Sequence, residues 1–409
     1  MSYYIENGDF ESGKIIVALD KNIDYASATS FYNSQIFAGI DVEKITIIYQ
    51  PGKLSSQSDF GYLLLAELAN KDKMATIDAA EKISAKPYVV YTELDYSYEM
   101  YVLPNDPDFR YLWGLETINA PAAWNFTTGS RDVVVGVVDS GIDHQHPDIK
   151  QNMWHSFDRS YENGWDFVND NPNSMDLSGH GTHVAGTIGA VGNNAIGITG
   201  VCWNIQVAAF RIGSVTMSLA AAIAAIDFAN KMGIPILNNS WGGRFYSSSL
   251  KYAIEQYNGL FIVAAGNSSK NNDYIPDYPS SFDSENIISV AATDRNNNLA
   301  SFSNYGIRTV DIAAPGRDIL SLSPRGGYDY KNGTSMAAPH VAGAAALLKA
   351  NWPALKTMEL KEIILESVDR KSSLTGRIKT GGILNTSLMF EVAKDKIEKI
   401  EKDETKFCA

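Results

Sequence analysis

From about Asn105 onwards, short apolar runs alternate with longer stretches that favour helix. The apolar runs lie at 133–138, 205–211, 234–239, 260–265 and 286–292. The helical stretches lie at 180–191, 217–232, 247–258, 335–350 and 357–368. Strands that alternate with helices form a mostly parallel sheet with helices on both faces. We therefore predict an α/β fold for this part of the chain.

The first hundred residues predict a separate and smaller α+β domain. Strands are expected at 13–19, 42–50, 62–68 and 88–98, and helices at 26–38 and 73–85. The order β, α, β, β, α, β is a split βαβ arrangement of the ferredoxin-like kind. Because Pro104 and Pro107 mark a linker, we place the domain boundaries at 1–103, 104–391 and 392–409. The last segment is a charged tail.

The composition excludes several classes of partner. The net charge of −13 argues against binding to nucleic acid or to an anionic membrane surface. Because the apolar stretches are short or interrupted by charge, we expect no membrane span. Cys202 is expected to be a buried thiol, and Cys408 lies in the tail, so the fold does not depend on a disulfide. Residues 1–13 lack the basic and apolar regions of a secretion signal.

Three glycine-rich segments each supply one side chain that a hydrolytic charge relay needs. They are VVVGVVDSGID, SGHGTHVAGT and NGTSMAAPHVAG, and they contain Asp139, His180 and Ser335. A serine hydroxyl is a weak nucleophile, so it needs an adjacent base, and the base needs an orienting carboxylate. Asp139 should lie at the carboxyl end of a buried strand, where open α/β sheets hold their sites. His180 and Ser335 should each lie near a helix N-terminus.

In these segments, the chain resembles the subtilisin-like serine proteases, or subtilases, over about residues 105–390. The resemblance implies that Asp139 orients and stabilises the imidazole, that His180 acts as base and then as acid, and that Ser335 is the nucleophile. The implied activity is that of a serine endopeptidase that cleaves protein or peptide substrates through an acyl-enzyme. A pseudoprotease is one alternative, although its triad would normally be broken. An esterase is another, although it would not need a peptide groove.

The resemblance also implies further residues around the reacting bond. Asn267 matches the asparagine that donates to the oxyanion, although an isolated asparagine would more often cap a turn. Two segments with small residues, which let a peptide backbone approach, flank the pocket for the P1 side chain. These are Ser240, Trp241 and Gly242 on one side, and Ala264, Ala265 and Gly266 on the other. For Trp241 the alternative is simple core packing.

Asp277 lies near the base of the implied P1 pocket. A carboxylate there would favour Lys or Arg at P1, whereas a solvated loop carboxylate, which we prefer, leaves an apolar or aromatic preference. The first domain is similar to the propeptide of subtilases, which would act as an intramolecular inhibitor, with an unrelated α+β adapter as the alternative. The chain is then a zymogen that is cut near residues 97–105. No Lys or Arg occurs between Lys86 and Arg110, so the candidate P1 residues are Tyr98, Met100 and Tyr101.

Most subtilases with a propeptide are secreted, which conflicts with the missing signal, so the compartment stays open between secreted and cytoplasmic. The resemblance also implies a structural calcium ion. Its candidate ligands are Asp148, Asn194 and the carbonyls of Ile196 and Ile198. The alternative is a turn-rich loop that is held by its own amides.

Overall fold

The computed structural model describes residues 10–50, 60–96 and 102–407. Contacts between Cα atoms divide the chain into two compact units, of which the first ends at Met100 and the second begins at Tyr101. The predicted maturation segment overlaps residues 97–101, so Tyr98, Met100 and Tyr101 lie outside the described residues, as does Cys408.

The N-terminal unit contains the predicted βαββαβ order. Its strands are β1 (Phe10–Leu19), β2 (Val42–Tyr49), β3 (Leu63–Leu68) and β4 (Val89–Tyr96), and its helices are Thr29–Ile36 and Lys73–Ser84. The strands pair antiparallel in the order β2-β3-β1-β4. One face of this sheet is apolar and packs against the helices, burying Ile15, Val17, Leu64 and Ile83 completely. Along β3, completely or largely buried residues alternate with half-buried ones, as expected for a strand with one face in the core.

The C-terminal unit is built on one large sheet. Its strands are β5 (Gly129–Asp139), β6 (Gly164–Asp166), β7 (Asn204–Arg211), β8 (Ile236–Asn239), β9 (Leu260–Ala264), β10 (Ile287–Thr293), β11 (Ile312–Pro315), β14 (Val368–Arg370) and β15 (Gly382–Leu384). Within the described residues, they run in the order β14-β15-β11-β10-β9-β8-β5-β7-β6. All neighbours are parallel except β14 and β15. The predicted, mostly parallel sheet is therefore confirmed.

Helices cover this sheet. They are Trp113–Thr117, Ala120–Ala123, His180–Gly189, Leu219–Lys231, Ser248–Glu255, Thr334–Asn351, Thr357–Glu366 and Thr386–Phe407. The helix Thr334–Asn351, called the serine helix below, packs against β5, β8, β9, β10, β11 and the helix His180–Gly189, called the histidine helix. Its alanines and glycine allow close approach to the histidine helix, since a Cβ on Gly343 would lie 3.1 Å from the Ile188 carbonyl oxygen. No helix in the described ranges is both long and apolar enough to cross a bilayer.

Two features differ from the sequence prediction. A hairpin of β12 (Ile319–Ser323) and β13 (Gly327–Lys331) directly precedes the serine helix, and its sequence gave no strong strand signal. The predicted tail does not start at residue 392, because one helix runs from Thr386 to Phe407 and buries Ala393. The many charged residues in the second half of this helix made the sequence look like a solvated tail, although apolar residues anchor its first half.

Candidate active site

Asp139 is the last residue of β5 and is completely buried. The apolar run before it fills the sheet interior, so the carboxylate sits where the strand emerges at the carboxyl edge. Its Oδ1 accepts hydrogen bonds from the Ser140 N–H at 2.7 Å and from His180 Nδ1 at 2.8 Å. Asp139 Oδ2 is buried and has no hydrogen-bond partner among the described residues.

His180 is the first residue of the histidine helix, and its side chain is 31% exposed. Because a carboxylate only accepts, Nδ1 must carry the proton, which leaves Nε2 as the acceptor in the neutral ring. The negative charge of Asp139 raises the pKa of His180, against the opposing effect of burial. The helix reaches this position because residue 181 is glycine: a Cβ there would lie 2.1 Å from the Gly141 carbonyl oxygen.

Ser335 is the second residue of the serine helix and is half-buried. Its Oγ donates to the Ser240 carbonyl at 3.1 Å, and Ser240 Oγ donates to the Ser335 carbonyl at 2.9 Å. No hydrogen bond joins Ser335 and His180 in the described part of the chain. The serine is thus held against the segment that follows β8, and a rotation about its Cα–Cβ bond is needed to direct the hydroxyl elsewhere.

Asn267 follows the end of β9 and is exposed. Its Oδ1 accepts from the Thr334 N–H at 2.8 Å and from Thr334 Oγ1 at 2.9 Å. Because a backbone N–H can only donate, these bonds fix the orientation of the amide and leave Nδ2 as a donor. A Cβ on Gly333 would lie 3.4 Å from Nδ2, so this donor lies beside the turn that leads into Ser335.

The predicted wall at Ser240, Trp241 and Gly242 continues into a short antiparallel pair. Gly243 and Tyr278 exchange both backbone hydrogen bonds, at 2.8 and 2.7 Å. Gly242 is exposed, and a Cβ on it would lie 3.0 Å from the Tyr278 carbonyl oxygen. Trp241 is half-buried, packs against the apolar cluster around Phe210, and has no partner for its buried Nε1 among the described residues. Its environment is that of a core side chain.

The second wall contains Ala264 and Ala265, which are buried, and Gly266, which has a φ of 110°. A Cβ on Gly266 would lie 2.8 Å from Asp277 Oδ2, so the Asp277 carboxylate lies against this wall. Asp277 is half-buried, and its Oδ2 accepts from Asn304 Nδ2 at 2.7 Å. The expectation of a freely solvated loop carboxylate is therefore wrong, because a buried amide holds the group in place.

Asn304 is a residue that the sequence did not single out. It is completely buried, and its Oδ1 accepts from the N–H groups of Ser268 and Lys270 at 2.9 and 3.1 Å. Its Nδ2 also donates to the Ala265 carbonyl at 3.1 Å. These bonds clamp the loop that carries Asn267. A buried asparagine 37 residues further along the chain gives no local signal of such a role.

Two further histidines are buried close to these elements. His183 Nε2 donates to the carbonyls of Ile319 and Asp329 at 3.0 and 3.1 Å, which ties the histidine helix to the β12–β13 hairpin. Burial lowers the pKa of His183 to about 3 and that of His340 to about 4, so both rings are neutral near pH 7. A third histidine, His146, is also buried, and its Nε2 donates to the Gly327 carbonyl at 2.9 Å.

The loop after the histidine helix contains three of the candidate metal ligands, and the fourth, Asp148, reaches it from the segment that follows β5. Asp148 is completely buried; Oδ1 accepts from Asn194 Nδ2 at 2.8 Å, and Oδ2 accepts from the Ile198 N–H at 2.9 Å. Asp106, which the sequence did not suggest, accepts from the Asn193 N–H at 2.6 Å. Burial raises the pKa of both carboxyls, and each accepts hydrogen bonds from residues 193–198 without an ion-pair partner among the described residues.

Comparisons with known proteins identify the family of this chain. The model of the subtilase family matches residues 130–387. The chain is 36% identical over 320 residues to a thermophilic serine proteinase of Bacillus sp. (strain AK1), covering 76% of this chain and 75% of that protein. It is 36% identical over 289 residues to thermitase of Thermoactinomyces vulgaris, covering 69% of this chain and 97% of thermitase.

A solved protease structure from Pseudoalteromonas arctica PAMC 21717 aligns with a TM-score of 0.63 and 29% identity, over 71% of this chain and 100% of that chain. A solved cold-adapted subtilisin-like serine proteinase aligns with a TM-score of 0.55 and 30% identity, over 63% of this chain and 89% of that one. The family match covers more than half of the chain, and the relatives are serine proteinases. The chain therefore belongs to the subtilase family and is a subtilisin-like serine endopeptidase.

Proposed function

We propose that Asp139, His180 and Ser335 form the charge relay of this endopeptidase. The observation that carries the proposal is the 2.8 Å bond from His180 Nδ1 to a completely buried carboxylate. That bond fixes the imidazole tautomer and leaves Nε2 to accept the serine proton. After proton transfer, the serine oxygen attacks the scissile carbonyl, and His180 returns the proton to the leaving amine.

The resting position of the serine sets the first step of this mechanism. Ser335 Oγ donates to the Ser240 carbonyl, so it must turn to bring its proton to His180 Nε2. The Ser240 carbonyl is also an acceptor for an extended peptide that pairs with this edge, because a peptide docks by adding a strand. A substrate N–H that takes this acceptor would release the serine hydroxyl. The edge at residues 240–243 therefore favours peptides over the simple esters that an esterase would bind.

Asn267 supplies an oxyanion donor in this proposal. Its Oδ1 accepts both hydrogen bonds from Thr334, so the NH₂ group at Nδ2 is the end left to donate to the oxyanion. The N–H of Ser335, in the first turn of the serine helix, has no helical acceptor and is a second donor. Such a donor contributes about 3–4 kcal/mol to transition-state stabilisation.

A fluorophosphonate probe tests the assignment of the nucleophile. We expect it to label the protein once, on the peptide that contains Ser335, because only an activated serine attacks phosphorus at neutral pH. The measurement is intact mass followed by peptide mapping, with His180→Ala as the variant that should label far more slowly. Labelling at a different serine, or none at all after the N-terminal unit has been removed, would contradict the proposal and favour the pseudoprotease alternative.

We further propose that the N-terminal unit is a propeptide and that the chain is a zymogen. Supporting this, its βαββαβ sheet directly precedes the protease unit along the chain. Self-cleavage near 97–105 would follow an apolar or aromatic P1 residue, as the lack of Lys and Arg there requires. Asp277 against Gly266 is the observation that favours a basic P1 instead. A cut after Lys86 or Arg110 would decide for that alternative.

We also propose a structural calcium ion on the loop 191–198. The Asp106 and Asp148 carboxylates fit it, since hard cations prefer oxygen ligands and two buried like charges that approach one loop disfavour each other. Asn194 Oδ1 and the carbonyls of Ile196 and Ile198 complete the candidate ligand set. In the described residues no cluster of three or more Asp, Glu, His or Cys could hold a metal, so the site depends on these carbonyls.

Calcium should raise the melting temperature of Ser335→Ala protein, which cannot digest itself. At a hundredfold excess over Kd, binding contributes about 2.7 kcal/mol, or roughly 5 °C in Tm. Asp148→Asn should remove this shift, because it takes away the buried charge that calcium would neutralise. Asp227→Asn, which removes an exposed carboxylate paired with Lys231, should keep it. The site is rejected if EDTA leaves the melting curve unchanged for the Ser335→Ala protein that retains Asp148.

A further inference from the structure

Asp176 is a buried carboxylate, 5% exposed, whose two oxygens are fully occupied by donors. Oδ1 accepts from the Ser178 N–H at 2.8 Å, the Gly179 N–H at 2.9 Å and Ser140 Oγ at 2.9 Å. Oδ2 accepts from the Thr182 N–H at 2.9 Å and from Thr182 Oγ1 at 2.7 Å. One side chain therefore gathers donors from two separate segments.

These two segments carry the two partners of the imidazole–carboxylate bond. Ser140 directly follows Asp139, and residues 178–182 form the entry and first turn of the histidine helix. Ser140 Oγ also accepts from the Gly181 N–H at 2.9 Å. Asp176 and Ser140 thus join the end of β5 to the start of the histidine helix through a continuous hydrogen-bond network.

The network also satisfies the N-terminus of the histidine helix. The first N–H groups of a helix have no acceptor within it, and a negative charge there is favourable. Here the His180 N–H donates to Ser178 Oγ at 3.3 Å, Gly181 donates to Ser140 and Thr182 donates to Asp176. Gly179, which precedes the helix, has a φ of 81° and offers no capping side chain. Asp176 therefore caps the N-terminus of the histidine helix with a side chain that lies outside the helix.

We propose that Asp176 is the positioning residue for His180: it anchors the first helical turn to the strand end and so sets the approach of the imidazole to Asp139. This inference rests on the proposed role of His180 as the base. It goes further because it assigns the alignment of the base to a carboxylate that touches neither substrate nor imidazole by a hydrogen bond. Misplacement of a reacting group by about 1 Å costs roughly 100-fold in rate.

The charges around His180 provide a second readout. The pKa of His180 is raised mainly by Asp139 and further by Asp176, and it is lowered by burial and by Lys331 on β13. His183, one turn further along the histidine helix, is neutral near pH 7 because burial lowers its pKa to about 3. Removing the charge of Asp176 should therefore lower the pKa of His180, an effect that a loss of stability alone does not produce.

The test compares Asp176→Asn with Asp311→Asn, both made in the full chain. An asparagine at 176 presents an NH₂ group to donors that need an acceptor, whereas its shape is unchanged. Asp311 is a matched control, because it is buried and accepts from the Ser289 N–H at 2.9 Å. It directly precedes β11, so it lies at the amino ends of the parallel strands, whereas Asp139 lies at their carboxyl ends. Active sites are counted by fluorophosphonate titration, so that kcat refers to folded enzyme only.

For Asp176→Asn we expect kcat to fall about 10- to 100-fold with KM nearly unchanged, and the acid limb of kcat/KM to move to lower pH. Asp311→Asn should lower Tm and leave both quantities as in the unmodified enzyme. If Asp176→Asn does not fold, Ser140→Ala removes the bridging hydroxyl alone and should lower kcat several-fold. Equal kcat and an unmoved acid limb in the folded variants would overturn the inference. An inactive parent enzyme would instead overturn the proposed function.

Discussion

Replacing Ser335 with alanine should lower kcat for peptide hydrolysis by about 10⁶-fold, the loss known for the corresponding change in subtilisin. The variant loses the hydroxyl that we propose forms the acyl-enzyme, whereas the Asp139–His180 pair and the Asn267 amide stay in place. It should also keep the chain at its full 409 residues, because self-cleavage needs the same nucleophile. Peptide hydrolysis rates and intact mass measure the two effects.

Ser249→Ala is the matched control, since Ser249 is exposed on the helix Ser248–Glu255 and lies away from the site. The control and the unmodified chain should both shorten to a start near residue 100. A start directly after Tyr98, Met100 or Tyr101 would support an apolar or aromatic P1 preference. If Ser335→Ala protein still processes itself or hydrolyses peptides, the nucleophile lies elsewhere and the proposed relay fails.

The fold was predictable where burial on both faces shaped the sequence. Residues 133–138 are apolar because β5 lies in the middle of the sheet, so the strand and its end at Asp139 could be read directly. The β12–β13 hairpin was missed because its register depends on partners outside it. His183 bonds the Ile319 carbonyl, and Ser321 Oγ donates to the His183 carbonyl at 2.6 Å. Such support comes from a helix more than a hundred residues earlier.

The site was predictable only in part, for the same reason. Asp139, His180, Ser335 and Asn267 stand in distinctive glycine-rich segments, which mark them locally. The hydrogen bond from Ser335 to Ser240 could not be foreseen, because it joins residues that are 95 positions apart. Asp176 and Asn304 were likewise missed, since their roles arise where donors from distant segments converge on one buried side chain.

Asp139→Asn should lower kcat by about 10⁴-fold while it leaves the imidazole in place. The Ser140 N–H needs an acceptor, so the amide oxygen should keep the Oδ1 position and still accept from His180 Nδ1. The NH₂ group would then fill the Oδ2 position, where no donor stands among the described residues. The variant therefore removes the charge that stabilises the imidazolium and preserves most of the geometry.

The pH dependence separates this charge effect from a structural one. The Asp139 carboxylate raises the pKa of His180, and only the neutral ring can act as base. In the unmodified enzyme, kcat/KM should therefore fall as the pH drops through a value above the ordinary histidine pKa of about 6.5. In Asp139→Asn, the pKa of His180 loses that support, so the acid limb should move to lower pH although the plateau is far lower. Asp311→Asn should leave the limb unmoved. An acid limb at the same pH in Asp139→Asn and the unmodified enzyme would mean that a group other than His180 is the base. The reason is that this substitution removes the charge that raises the pKa of His180 most.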